Sequence, residues 1–86
     1  MKCDKMEEIE LKIRSSRRKQ QILFLLSNNK FLYQAQIARK LNITNVTLGD
    51  HMKVLENLGL VKRSISGKFV FYSLTEAGKV ILNRLE

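Results

Sequence analysis

The stretch "QAQIARKLNITNVTLGDHMKVLENLGLV", residues 34 to 61, decides how this chain folds. Its first eight residues set Ile37, Ala38 and Leu41 at helical spacing for burial and leave Arg39 and Lys40 outside. Asn42 then stands where a tight helix-to-helix turn needs a left-handed residue, a conformation Asn tolerates better than most. Thr44 can cap a second helix spanning 44–58, in which Leu48, Met52 and Leu55 recur at i, i+4 and i+7 and Leu58 continues the row. Gly59 stops it as a C-terminal glycine does. Two helices joined by so short a turn read as a helix-turn-helix.

Downstream the period changes. "LVKRSI" (60–65) and "FVFYSL" (69–74) are strand-like runs around Ser66-Gly67-Lys68, which predicts a hairpin. Its inward face is read as Val61, Phe69 and Phe71, with Lys62 and Lys68 outward and Tyr72 in the core. Thr75 caps a last helix, "EAGKVILNRLE", made widely apolar by Val80, Ile81, Leu82 and Leu85. Upstream, Ser15 or Ser16 caps a helix carrying Ile22 to Leu26, which Ser27-Asn28-Asn29-Lys30 ends before a strand-like step at Phe31-Leu32-Tyr33. "MEEIELKIR" (6–14) fits a helical face through Met6, Ile9 and Ile13, and strand alternation through Ile9, Leu11 and Ile13. Helix formers dominate, so it is read as helix. The expected fold is mainly α with a small β-hairpin (α+β), a winged helix-turn-helix. Residues 1–14 form an N-terminal extension, helical and dimer-forming, and 15–86 the winged-helix domain.

The 86 residues make one small domain, which buries only about 60–65% of its unfolded surface. Its core must be compact or shared with a partner. Sixteen Lys and Arg against eight Asp and Glu give a net charge of +8, which favours nucleic acid or an anionic membrane surface. Cys3 is the single cysteine and His51 the single histidine, so no disulfide framework and no paired metal-ligand spacing exists. His51 lies beside Leu48 and Leu55 and is read as a packing residue. "ILFLL" at 22–26 is too short for a signal segment, and nothing approaches the ~20 apolar residues a membrane helix needs. The expectation is a cytoplasmic protein without membrane contact. No base–nucleophile pair or phosphate-cradling glycine loop can be assembled, so an enzyme is not expected.

Three pieces carry a resemblance. They are Ile37-Ala38-x-x-Leu41-x-Ile43-Thr44, then His51-Met52-x-x-Leu55-x-x-x-Gly59-Leu60-Val61, then Tyr72-x-Leu74-Thr75-x-x-Gly78. In this order and spacing the chain, over most of 15–82, resembles the winged-helix transcription regulators related to the ArsR and MarR families, especially their small archaeal relatives. That resemblance implies a homodimer that binds double-stranded DNA, with the helix 44–58 in the major groove and the basic wing 60–74 on backbone or minor groove. Carried over by position, Thr44, Asn45, Val46, Thr47 and Lys53 face DNA and Lys68 sits at the wing tip. The chain departs from the pattern in three places. Metal-sensing members use Cys or His clusters, and none is present, so no metal is expected. The drug-sensing branch needs longer terminal helices, so no small-molecule effector is evident. Gly49 and Asp50 stand where these families commonly carry Ser and a basic or polar residue.

Among site candidates, Asn45 can bond adenine N6 and N7 together, Thr47 can touch a thymine methyl or a phosphate, and Val46 is a weaker contact of the same kind. Asp50 has three readings. It pairs with Lys53 one turn on, which leads; it accepts from cytosine N4; or it faces a protein. Gly49 costs near 1 kcal/mol against Ala in a helix interior, so either DNA backbone or a neighbouring helix should approach closely there. In "KIRSSRRK", Lys12, Arg14, Arg17, Arg18 and Lys19 form the densest basic cluster, and at a helix start they oppose the dipole, which favours a phosphate-facing role. Lys62, Arg63 and Lys68 decorate the hairpin as further phosphate contacts, whereas Arg39 and Lys40 suit the end of their own helix. Two rivals remain: a protein-interaction module of a transcription-related complex, with Gly49 and Asp50 lining the contact, and an RNA or single-strand binder. The latter needs exposed aromatics among Tyr33, Phe69, Phe71 and Tyr72, most of which read as buried.

Overall fold

The computed structural model describes residues 5–29 and 32–85; Cys3, Lys30 and Phe31, on which readings above fall, lie outside them. The elements are α1 (Lys5–Arg14), α2 (Arg17–Asn28), β1 (Leu32–Tyr33), α3 (Gln34–Leu41), α4 (Asn45–Asn57), β2 (Val61–Ser66), β3 (Phe69–Leu74) and α5 (Glu76–Leu85). The strands form one antiparallel sheet in the order β1-β3-β2. Helices α1, α2, α4 and α5 supply most of the core, through Ile13, Ile22, Leu23, Leu48, Met52, Leu55 and Ile81, joined by Ile37 of α3 and by Leu32, Leu60, Val61 and Tyr72 from the sheet and the segment leading into it.

Each helix terminus has a chemical cause. The Ser16 hydroxyl accepts from the Lys19 N–H at the start of α2, while the Ser15 hydroxyl donates to the Lys12 carbonyl and closes α1. At the end of α3, Asn42 takes φ 58° and ψ 46°. Its N–H reaches Arg39 O and the Ile43 N–H reaches Ala38 O at 3.0 Å, the paired bonds of a Schellman motif. Thr44 Oγ1 accepts from the Thr47 N–H at 3.1 Å and starts α4. The second Schellman motif ends α4: Gly59 at φ 77° bonds Glu56 O, and Leu60 bonds the carbonyl of Leu55, its partner in the core. Residues 42–44 are thus a complete turn between two capped helices, the helix-turn-helix expected from their sequence.

Beyond Gly59, α5 is held against the turn. Thr75 Oγ1 donates to Gly59 O at 2.6 Å and accepts from the Gly78 N–H at 3.0 Å, and the Thr75 N–H bonds Leu60 O. A Cβ on Gly78 would collide with that Leu60 carbonyl and lie 2.9 Å from Leu74 Cδ1. Only glycine lets α5 come so close. On the other side Glu10 of α1 accepts from Arg14 Nε at 2.9 Å and from Arg84 of α5 at 3.4 Å, and Arg14 also donates to Arg84 O at 2.7 Å. These bonds hold the Glu10 carboxyl below its ordinary range, Arg14 contributing most.

The hairpin differs from the sequence reading in two ways. Ser66 pairs with Phe69, so the loop is only Gly67-Lys68, and a positive φ at Gly67 alone is the signature of a type II′ turn. The register also moves the face. Tyr72 lies in the core at 4% exposure, opposite Arg63 and on the side of Val61, Leu74 and Val70. Strand alternation therefore puts Phe69 and Phe71 on the outer face, not inward as expected, together with Lys62 and Tyr33. The inward anchor is the polar-tipped Tyr72, buried as expected; alternation counted from it, not from Phe69 and Phe71, gives the inward face. Burial, with Glu56 nearby, pushes the Tyr72 phenol up.

Candidate nucleic-acid interface

Helix α4 presents its outer face through residues whose inner neighbours are locked. Leu48, Met52 and Leu55 are fully buried, which turns Val46, Asp50 and Lys53 outward; Val46 is 77% exposed. Asn45 is exposed at the first turn, and its carbonyl accepts from Gln34 Nε2 of α3 at 3.2 Å. Thr47 is also exposed, and its Oγ1 accepts from Thr44 Oγ1 at 3.0 Å, so its own proton stays available.

The leading reading of Asp50 does not survive. Among the described residues no ion pair joins Asp50 to Lys53, and no hydrogen bond engages either side chain. Both groups are exposed and solvated, where an i, i+3 pair contributes only tenths of a kcal/mol, too little to hold two mobile side chains together. The packing explanation of Gly49 also fails: a Cβ there would meet only Gln34 Nε2, at 3.7 Å, an ordinary contact. Nothing within the fold requires glycine at that position.

The basic cluster divides by function. Arg14 is committed to Glu10 and α5, as above. Arg18 donates to Leu41 O at 3.1 Å, neutralising an orphan carbonyl at the end of α3, and to Gln21. Lys19 Nζ lies 3.1 Å from His51 Nδ1, a contact in which the ammonium donates and the imidazole proton sits on Nε2. His51 is accordingly half-buried beside α2 and is not the plain packing residue expected. Burial first, then Lys19 and Arg18, lower its pKa below the usual imidazole value, against a small opposing effect of Asp50. Arg17 and Lys12 are exposed, and among the described residues no side-chain bond engages them. On the wing, Arg63 pairs with Glu56 at 3.6 Å, while Lys62 and Lys68 are exposed and, among the described residues, unpaired. Among the described residues, the exposed cations of the helix-turn-helix and wing with no side-chain partner are Arg39, Lys40, Lys53, Lys62 and Lys68, and Arg17 at the start of α2 has none either.

Two features escaped the sequence reading. Gln34, which ties α3 to the start of α4, carries no signal distinguishing it from any helix-surface glutamine. The rings of Tyr33, Phe69 and Phe71 form a cluster on the outer sheet face, with centroids 5.3, 5.9 and 6.3 Å apart. The strand register hid it. Among the described residues no group of three or more His, Cys, Asp or Glu is placed to hold a metal ion, and no helix is long and apolar enough to cross a membrane.

Fold and exposed helix together define a winged helix-turn-helix of the regulator class. Residues 16–63, more than half of the chain, match the model of the bacterial regulatory protein arsR family. The chain belongs to that family. Reduced HlyU of Vibrio cholerae is similar at 31% identity and a TM-score of 0.78, over 93% of this chain and 87% of that one. A point mutant of Lactococcus lactis ZitR in complex with DNA aligns at 28% identity and TM-score 0.72, over 79% of this chain and 48% of that one. The present chain therefore spans about half the length of ZitR. MepR of S. aureus bound to DNA, at 20% identity and TM-score 0.80 over 93% and 69%, shares the fold. No curated protein sequence matches the chain.

Proposed function

We propose that this chain is a double-stranded DNA-binding transcription regulator that works in the cytoplasm as a homodimer and is not an enzyme. The observation that carries the reading is the outer face of α4, where Asn45, Val46, Asp50 and Lys53 stand exposed on a helix capped at both ends and fixed along its inner side. The DNA complex of the ZitR relative supports it. In this reading α4 enters the major groove by its N-terminal turns. Asn45 and Thr47 read base edges, Val46 meets a thymine methyl, and Thr44 holds the helix start. Arg17, Lys53, Lys62 and Lys68 contact phosphates; Arg18 and Lys19 keep the start of α2 positive beside them. Asp50 accepts from cytosine N4, and Gly49 lets the helix approach the backbone closely. Arg14 and Arg63 serve inside the chain.

The homodimer uses the helical side away from the wing, residues 5–14 acting as its extension. Leu11, Phe24 and Val80 are exposed there, and Phe24, Leu82 and Leu85 line an apolar groove. Two-fold symmetry then sets the half-sites about one helical turn apart. An unpaired Asp50 on α4 favours one second reading, a protein-interaction module of a transcription-related complex.

Binding to random duplex DNA across a salt series separates the two. Four phosphate contacts per protomer give a slope of log K on log salt of roughly −3.6, about −7 for a dimer. Lys53→Ala or Lys68→Ala should each flatten it by about 1 per protomer. A wild-type protein that ignores duplex DNA at low salt overturns the regulator reading and leaves the protein partner.

A further inference from the structure

The wing extends well past its support. Val61 and Tyr72 are its last buried residues, and everything from Lys62 to Phe69 is exposed. The third strand covers only Phe71 and Tyr72, through Tyr33 and Leu32. Outward of that, Ser66 and Phe69 close a two-stranded ribbon around Gly67-Lys68, and such a ribbon alone is marginal in water. The end that carries Lys68 should therefore swing unless something holds it.

What touches it is Tyr33. The Phe69 ring, half exposed at 52%, packs at 51° on the Tyr33 ring with centroids 5.3 Å apart, and Phe71 meets Tyr33 edge-on at 5.9 Å. Tyr33 directly precedes α3, and its N–H is held by Gln36 Oε1 at 3.2 Å. The next residue, Gln34, donates to Asn45 O at the first residue of α4. Lys68, Phe69, Tyr33, Gln34 and Asn45 form an unbroken series of covalent, ring and hydrogen-bond links from wing tip to recognition helix. The rings are tilted or edge-on to one another, not parallel, which does not make a flat platform for stacking successive bases.

We infer that Tyr33 and Phe69 are positioning residues that set the angle of the wing against α4, so that Lys68 and Asn45 meet the duplex together. The inference rests on the DNA-binding reading and deepens it. Its physical basis is pre-organisation: a wing already held in place gives its phosphate contact without an ordering cost at binding.

The test measures duplex affinity against salt for wild type, Phe69→Ala, Tyr33→Ala, Tyr33→Phe, Lys68→Ala and the double variant Phe69→Ala/Lys68→Ala. Lys68→Ala should weaken binding about eightfold per wing at 0.1 M salt and flatten the slope by about 0.9. Phe69→Ala and Tyr33→Ala should reproduce most of that flattening, and Tyr33→Phe, which keeps the ring, should bind as wild type. The double variant should bind no worse than Lys68→Ala alone. Multiplying losses with an unchanged slope in Phe69→Ala would overturn the inference and make Phe69 a direct contact. A Tyr33→Ala that binds as wild type would overturn it as well. If wild type binds no duplex at all, the functional reading fails, a result distinct from both.

Discussion

Gly49→Ala isolates what the recognition helix gives up for its surface. The residue lies inside α4, four residues past its start, and its φ is not positive, so alanine takes the same backbone without strain. The added Cβ meets one atom within 4 Å, Gln34 Nε2 at 3.7 Å, which leaves the bond from Gln34 to Asn45 O intact. No compensating clash enters, so the full helix propensity difference should appear as stability, about 0.8–1 kcal/mol. For a domain of this size that raises Tm by roughly 4–8 °C. Thermal melts followed by circular dichroism, at one fixed protein concentration because a dimer's Tm depends on it, measure the gain. On the proposed reading the same variant should bind duplex DNA more weakly than wild type, because the new methyl would stand where close approach of the DNA backbone is proposed. An unchanged or lower Tm would refute the reasoning, since it would mean the fold itself uses the glycine. A higher Tm with unaltered DNA binding would remove Gly49 from the interface.

Gly78→Ala should behave oppositely: the Cβ runs into the Leu60 carbonyl and the Leu74 side chain, an overpacking cost of about 1–3 kcal/mol or more, and a Tm equal to wild type would show that α5 can shift at no cost. Stability should also fall as pH drops through the imidazole range. His51 has a depressed pKa in the folded chain, so it stays neutral there while the unfolded chain, titrating near 6.5, takes up a proton first. The fold is therefore at full strength above about pH 6.5 and weakens below it, and His51→Gln should flatten the melting temperature between pH 7.5 and 5; an undiminished fall would place the effect elsewhere. Asp50→Asn should tighten binding to random duplex and relax a preference at one C·G pair by about 1–3 kcal/mol. Unchanged affinity and preference would put Asp50 off the DNA.

What was legible in the sequence was what local chemistry dictates. Asn42, Thr44 and Gly59 announce the helix-turn-helix because a left-handed turn, a hydroxyl cap and a C-terminal glycine each need particular residues, and all three occur as read. The period of Leu48, Met52 and Leu55 fixes the outer face of α4 with equal directness. Contacts between distant segments were not legible. Arg14, Arg18 and Lys19 read as one block of charge, yet beyond the local i,i+4 pair of Arg14 with Glu10 their partners are Arg84, Leu41 and His51, brought in by helices that the block itself does not specify. The outer aromatic cluster needed the register of β3 against both neighbours, and in a run as uniformly apolar as Phe69 to Tyr72 a one-residue slip leaves the pattern equally plausible.

The carboxylates give the interface its remaining logic. Of those described, Glu7, Glu8 and Glu10 lie on α1 and Glu76 opens α5, remote in sequence from the helix-turn-helix. Glu56 on α4 is tied to Arg63. Asp50 is left as the one carboxylate on the outer face of α4, in a chain with an excess of eight positive charges. In the proposed DNA-bound arrangement, a negative group there would repel the phosphates that Lys53 and Lys68 attract, so it would weaken indiscriminate binding and regain that loss only where a base edge offers a donor. Gly49 beside it bears on the same problem. Asp is short, and its reach to a base depends on how close the helix backbone comes, which a missing Cβ improves. Under the proposed DNA-binding reading, the two residues that break the family pattern would act as a pair, one admitting the helix deeper and the other making that approach favourable at selected sequences only.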